Sequence, residues 1–296
     1  MTVRATLTAV VCVLALAWAP AALAKPSLGA YRGTGAWVDL YDPGVRADPT
    51  GAVEQMAAQG VNTLYLETGN HRLPRRTLVG YPEQVSELID TAHSLQMRVV
   101  AWYLPGLKDL RLDRARSLAA IRYSTLAGGH FDSFALDIES TKLASIWRRN
   151  RALLRLSRSL RRTVGRQYAL GAIVPDQRST TVSPGLWPGF PYAQVARLYD
   201  VFLPMSYSTN RTHGPAAVYR YTYANVAAIR ALSWPLRPPV HVIAGLADRL
   251  RRGEPRAAAR AARDAGAIGL SFYKFTWSGR DEWRALTLFR RPATAP

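Results

Sequence analysis

The sequence predicts an α/β protein built as a single (β/α)8 TIM barrel, on three grounds. Eight short runs rich in aliphatic, β-branched and aromatic residues recur along it, their starts lie about 25 to 40 residues apart, and helical periodicity fills several of the intervals. That interval is the length of one βα unit. An open doubly wound sheet is the competing arrangement, but no glycine-rich phosphate fingerprint follows the first run.

The first run, GAWVDLYD (35–42), carries Asp39 and Asp42 at its end, and DPTGAVEQMAAQG (48–60) then reads as a helix with polar capping residues and a stop at Gly60. VNTLYLET (61–68) places Glu67 near its end. In PEQVSELIDTAHSLQ (82–96), Pro82 starts a helix whose apolar face is Val85, Leu88 and Ile89. MRVVAWYLP (97–105) ends in Trp102 and Tyr103, and FDSFALDIE (131–139) in Asp137 and Glu139. The long segment 141–165 stops at Gly165. YALGAIVPD (168–176) delivers Asp176 into the longest turn-rich connection, residues 177–191, whose length marks loops that serve function or lack order. YDVFLPMSY (199–207) supplies Met205, Ser206 and Tyr207. PVHVIAGLA (239–247), a helix at 254–266, AIGLSFYKF (267–275) with Lys274 and Trp277 beyond its core, and a last helix at 281–291 complete the alternation.

Residues 1–24 read as a signal peptide. Arg4 precedes an apolar stretch from Leu7 to Ala22, broken by Pro20, and Ala22 to Ala24 form a small-residue cleavage signal before Lys25. An uncleaved anchor is the alternative, since the apolar run is near the shortest length that spans a bilayer. Export predicts a secreted or cell-envelope protein with no membrane span after cleavage, and residues 25–296 then form one barrel domain. The single cysteine, Cys12, lies in the leader, so disulfides, thiol catalysis and cysteine-bound metal are not expected. Net charge is +19, carried almost wholly by arginine. Such a surface suits anionic wall polymers, although arginine and alanine richness also reflects compositional bias. Export argues against nucleic acid as a partner.

Barrel chemistry gathers at the carboxyl ends of the strands. In an extended FDSFALDIES (131–140), Ala135, Asp137 and Glu139 share one face while Phe134, Leu136 and Ile138 share the other. The two acids then stand roughly 6.7 Å apart at their origins. In a pocket of low dielectric, one raises the pKa of its neighbour, which keeps a proton available for general acid catalysis. The alternative is that arginines at the barrel mouth lock both acids.

The stretch DSFALDIE resembles the fourth-strand motif of family 18 glycoside hydrolases, the chitinase-like barrels, in which acids occupy positions one, four, six and eight. Asp132, Asp137 and Glu139 match, and Ala135 departs. MSYS resembles the sixth-strand Met-x-Tyr motif of the same family through Met205 and Tyr207, with Ser208 in place of an acid or amide. The resemblance implies that Glu139 protonates the glycosidic oxygen. Asp137 and Tyr207 would hold a 2-acetamido group whose carbonyl oxygen attacks the anomeric carbon, and Trp277 would floor the sugar site.

Asp39 or Glu67, facing Glu139 across the mouth, would instead give a direct displacement with a second carboxylate. Asp39, Glu67, Trp102, Asp176, Trp187, Met205 and Trp277 are the expected substrate-binding residues, with Trp187, Phe190 and Tyr192 forming an aromatic group beside the long connection. His71 next to Glu67 lacks a partner at ligand spacing, so no metal and no cofactor is expected, and no nucleophile-elbow motif suggests an esterase. Two functions follow: a hydrolase of polysaccharide or oligosaccharide glycosidic bonds, or a non-catalytic glycan-binding barrel, for which Ala135 and Ser208 argue. A basic protein held in the envelope by charge alone is the third.

Overall fold

The computed structural model describes residues 25–181 and 186–290. The expected signal peptide and part of the long connection, 182–185, lie outside the described residues. Eight strands follow one another: β1 (Gly33–Val38), β2 (Thr63–Asn70), β3 (Arg98–Leu104), β4 (Ser133–Asp137), β5 (Leu170–Val174), β6 (Val201–Pro204), β7 (His241–Leu246) and β8 (Gly269–Tyr273). Between and after them come the helices α1 (Pro43–Ala47), α2 (Pro49–Ala58), α3 (Pro82–Ser94), α4 (Leu110–Ile121), α5 (Ile146–Val164), α6 (Gln177–Thr181), α7 (Tyr192–Ala196), α8 (Pro215–Leu232), α9 (Glu254–Asp264) and α10 (Arg280–Leu286). Six strands fall inside the runs that predict them, while β1 starts two residues before its run and β2 ends two residues after its own.

The strands are hydrogen-bonded in the order β6-β5-β4-β3-β2-β1-β8-β7, and all the pairings are parallel. Isolated bridges Phe202–Val240 and Met205–Ile243 join β6 to β7. With Phe202 N donating to Pro239 O and Ser206 N to Ile243 O, both at 2.9 Å, the sheet closes into a barrel.

Helix starts follow local chemistry. Asp48, Asp109 and Ser145 accept from the backbone N–H three residues on, capping α2, α4 and α5, and Pro82 opens α3. Gly165, at φ 73°, ends α5 in a conformation that side chains disfavour. The sequence signals miss α4 and α8 for a visible reason. α4 buries Asp113, Arg116 and Ser117, and α8 buries Thr222 and Asn225, so neither shows a clean apolar stripe.

Two layers of apolar packing result. Outward residues of the strands, Phe134, Leu136 and Ile138 among them, meet Val53, Leu88, Leu153 and Leu156 of the surrounding helices. Inward residues, including Trp37, Tyr65, Trp102, Ala135, Ile173 and Met205, fill the barrel. Its amino-terminal end is plugged by Tyr31, whose hydroxyl lies 2.8 Å from Ser133 Oγ and donates to Phe134 O at 3.0 Å. Beside it the imidazole of His241 spans Tyr31 O (2.9 Å, Nδ1) and Ser271 Oγ (3.0 Å, Nε2), and Trp37 Nε1 donates to that same Oγ at 2.7 Å. Burial holds the His241 pKa down at about 4.

Several arginines work inside the fold. Arg116 is buried and donates to the carbonyls of Asn70, Leu73, Pro74 and Thr77, fastening the loop after β2. Arg161 likewise ties Gly165, Tyr168 and Leu198 carbonyls to the Asp200 carboxylate.

Candidate active site

A cavity of about 310 Å3 opens at the carboxyl ends of the strands. Its floor is the top of the interior packing, Trp37, Trp102, Ile173 and Ile243, and its polar wall holds Asp39, Glu67, Asp137, Glu139 and Tyr207. Strand alternation puts them there: Trp37 and Asp39, Tyr65 and Glu67, Ala135 and Asp137 each sit two residues apart on an inward face. A second cavity of about 250 Å3, lined by Asp176, Ser179 and Arg211, shares Glu139, Met205, Tyr207 and Leu246 with the first. Glu139 therefore stands where the two halves of a cleft meet.

Asp137 and Glu139 form no ion pair among the described residues. Asp137 is buried, and its Oδ1 has no hydrogen-bond partner among the described residues. Burial first, then the charges of Glu139 and Glu67, push its pKa well above the ordinary carboxyl range. Burial also raises Glu139, against the opposing pull of Arg72. The Tyr207 phenol is raised by burial and by both carboxylates.

Glu67 is a third acid of the same kind. Burial lifts its pKa to about 7, although Leu40 N and Asn70 Nδ2 donate to its two oxygens at 2.9 Å each. Asp39 is different: Tyr41 N (2.9 Å), Tyr273 OH (3.2 Å) and Lys274 Nζ (3.0 Å) all donate to it. Lys274 also pairs with Asp42 at 3.2 Å. Burial works against the Lys274 charge, but the two carboxylates outweigh it and raise its pKa.

The remaining expected site residues divide by location. Trp102 and Met205 line the first cavity, and Trp102 Nε1 is buried without a partner. Asp176 borders the second, its oxygens taken by Ser179 N at 3.0 Å and Ser179 Oγ at 2.5 Å. Trp277 is 41% exposed at the rim, 4.9 Å from Lys274 Nζ and edge-on to Tyr273.

Trp187 corrects the expectation of an aromatic subsite after the fifth strand. It is fully buried against Phe190 and the Arg149 guanidinium, and its Nε1 donates to Asn150 Oδ1 at 2.7 Å. Phe190 and Tyr192 are buried too, so this group packs the helix layer and offers no face to a sugar. Asp132 lies outside the cavity, where Arg98 Nη1 (2.6 Å) and Val99 N (2.8 Å) donate to it. His71 is beside the cleft with both ring nitrogens unpartnered, and no group of three potential metal ligands converges among the described residues.

Sequence reasoning passes over Trp37, Asn70, Arg72, Arg211 and Tyr273. Trp37 and Tyr273 sit in runs that read as core. Asn70 and Arg72 lie in the polar ETGNHR that follows Glu67 at a strand end, a position that does mark them.

No family model matches the sequence, and no curated protein is similar to it. Solved structures are similar in fold. The endo-β-1,4-mannanase of Thermotoga petrophila superposes with a TM-score of 0.67 at 10% identity, covering 88% of this chain and 77% of that one. The glycoside hydrolase domain of PgaB from Bordetella bronchiseptica gives 0.62 at 14%, covering 88% and 100%. A family 18 chitinase from Cycas revoluta gives 0.61 at 12%, covering 87% and 98%. At such identities the likeness is one of architecture: this chain shares the (β/α)8 barrel of these structures.

Proposed function

We propose that this protein is an exported glycoside hydrolase that cleaves a cell-wall or extracellular polysaccharide within the cleft above β4. The observation that carries the reading is a cavity in which Glu139, Asp137 and Glu67 gather with no ion pair among the described residues, and burial raises all three pKa values. A carboxyl raised in this way keeps its proton nearer neutrality, as a general acid must. Glu139 stands at the junction of the two cavities, where a glycosidic oxygen would lie between sugars bound on either side.

In this mechanism Glu139 donates its proton to the leaving oxygen. The unpartnered Oδ1 of Asp137 accepts a hydrogen bond from the N–H of a 2-acetamido group, and Tyr207 donates to that group's carbonyl oxygen, which attacks the anomeric carbon. Trp37 and Trp102 supply the apolar floor beneath the ring. Three structures similar in fold are named as an endo-β-1,4-mannanase, a spore cortex-lytic enzyme and a chitinase, which supports testing polysaccharides.

The test is release of reducing ends by residues 25–296 from chitin, mannan, peptidoglycan and acidic wall glycans, beside Glu139→Gln. Expected is release by the wild type that falls about 100-fold or more in a variant that still unfolds cooperatively. Equal turnover by both proteins contradicts the assignment. One observation favours a binding-only barrel: Ala135 is buried directly below Asp137 and brings no carboxyl to support it. That reading expects saturable binding with no product.

A further inference from the structure

We propose that the cleft is built for a glycan carrying anionic substituents, with Arg72 and Arg211 receiving a carboxylate or phosphodiester on either side of Glu139. This rests on the hydrolase reading for its site and names the substrate class.

The argument begins with where the guanidinium groups stand. Arg72 lines the first cavity and Arg211 the second, while Glu139 belongs to both. Each half of the cleft therefore contains one guanidinium group. The Arg72 side chain is exposed and makes no hydrogen bond or ion pair among the described residues, although its backbone is pinned by the bond from Arg72 N to Asn70 Oδ1 at 2.8 Å. Arg211 is held by donation from Nη2 to Ser179 Oγ at 2.9 Å, and stands 3.9 Å from an Asp176 oxygen that Ser179 already occupies.

Charge balance points the same way. Lys274 is engaged by direct pairing with both Asp39 and Asp42, so the cation left unpaired at the first cavity, among the described residues, is Arg72. Glu67, Asp137 and Glu139 line the same cavity with pKa values raised chiefly by burial, and none of them is paired with Arg72. Arg72 is near enough to influence Glu67, Glu139 and His71, yet is bonded to none of them. A guanidinium with no direct partner, beside an apolar floor, favours a ligand anion, which it can hold through two parallel hydrogen bonds. A neutral glycan would leave that charge unanswered. The overall charge of +19 would draw such polymers to the protein.

The experiment compares oligogalacturonate with its methyl ester, which has the same sugar without the charge. Muramic-acid-containing glycan strands and glycerol-phosphate oligomers form two further arms. Binding is measured by calorimetry at 0.15 M salt for the wild type, Arg72→Gln, Arg211→Gln and the surface control Arg162→Gln. Expected is at least one anionic probe bound roughly tenfold more tightly than its neutral counterpart, with the preference lost in Arg72→Gln, weakened in Arg211→Gln and kept in Arg162→Gln. The arm that shows it separates a uronate, a lactyl carboxylate and a phosphodiester. Equal binding of charged and neutral probes, equal losses in all three variants, or no binding by any probe at millimolar concentration overturns the proposal.

Reducing-end release distinguishes the two levels. Glu139-dependent cleavage of neutral glycans without anion preference overturns the anion site and leaves the hydrolase. An Arg72-dependent preference with no cleavage of any probe supports the anion site and removes the hydrolase.

Discussion

At Glu67, burial and hydrogen bonding pull in opposite directions, and burial wins. Its pKa of about 7 exceeds the ordinary 4.5, so in the unfolded chain the group ionises first as pH rises. Folded-state stability is therefore unaffected below about pH 4.5, falls between 4.5 and 7, and stays reduced above. The loss is up to about 3 kcal/mol. Glu67→Gln should raise stability in urea at pH 8 and leave it nearly unchanged at pH 4; the same change at both pH values would show that the carboxyl is not held up. His241 carries the opposite sign. Folded, it stays neutral down to about pH 4, so its contribution is complete above pH 6.5 and is lost as pH falls toward 4. His241→Gln should flatten the acid limb of the stability profile, and an unchanged limb would place acid sensitivity elsewhere. The paired acids were legible because strand alternation needs only residue order: Asp137 and Glu139 had to share a face. Trp187 was misread because a tryptophan in a turn-rich stretch looks exposed until the Arg149 stacking and Asn150 bond are known.

At the scale of elements, the strands were readable and the helix α4 was not. A strand buried on both faces announces itself as a continuous apolar run. α4 turns a polar face inward because it serves as a brace. Its Asp113 accepts from Tyr103 OH and from the N–H groups of Gly106 and Leu107, and its Arg116 gathers the carbonyls that follow β2. The loop after β2 carries Arg72 to the cleft beside Asn70 at the strand end. Arg116→Met leaves four carbonyls without their donor and should cost ~3 kcal/mol or more in denaturant unfolding, with faster amide exchange in residues 70–77. Unaltered exchange there would mean that the loop holds its own shape.

For the whole molecule, the barrel separates labour between its ends. The amino-terminal end is closed by Tyr31, His241 and Ser271 in a satisfied network, whereas the carboxyl end leaves Asp137 Oδ1 and Trp102 Nε1 unpartnered beside open space. Satisfied polar groups stabilise, and orphaned ones at a cavity mark where a ligand completes the bonding. The basic composition divides in the same manner: Arg116 and Arg161 brace the scaffold from within, and Arg72 faces the cleft. Composition alone does not separate such roles, because burial depends on contacts made across the whole chain.

Leaving-group dependence tests the general-acid assignment most directly. The wild type and Glu139→Gln are compared on a natural glycan and on a nitrophenyl glycoside of the same sugar, whose leaving group departs without protonation. The account predicts a loss of about 100-fold or more on the glycan and a far smaller loss on the nitrophenyl glycoside. Equal losses on both substrates would contradict it.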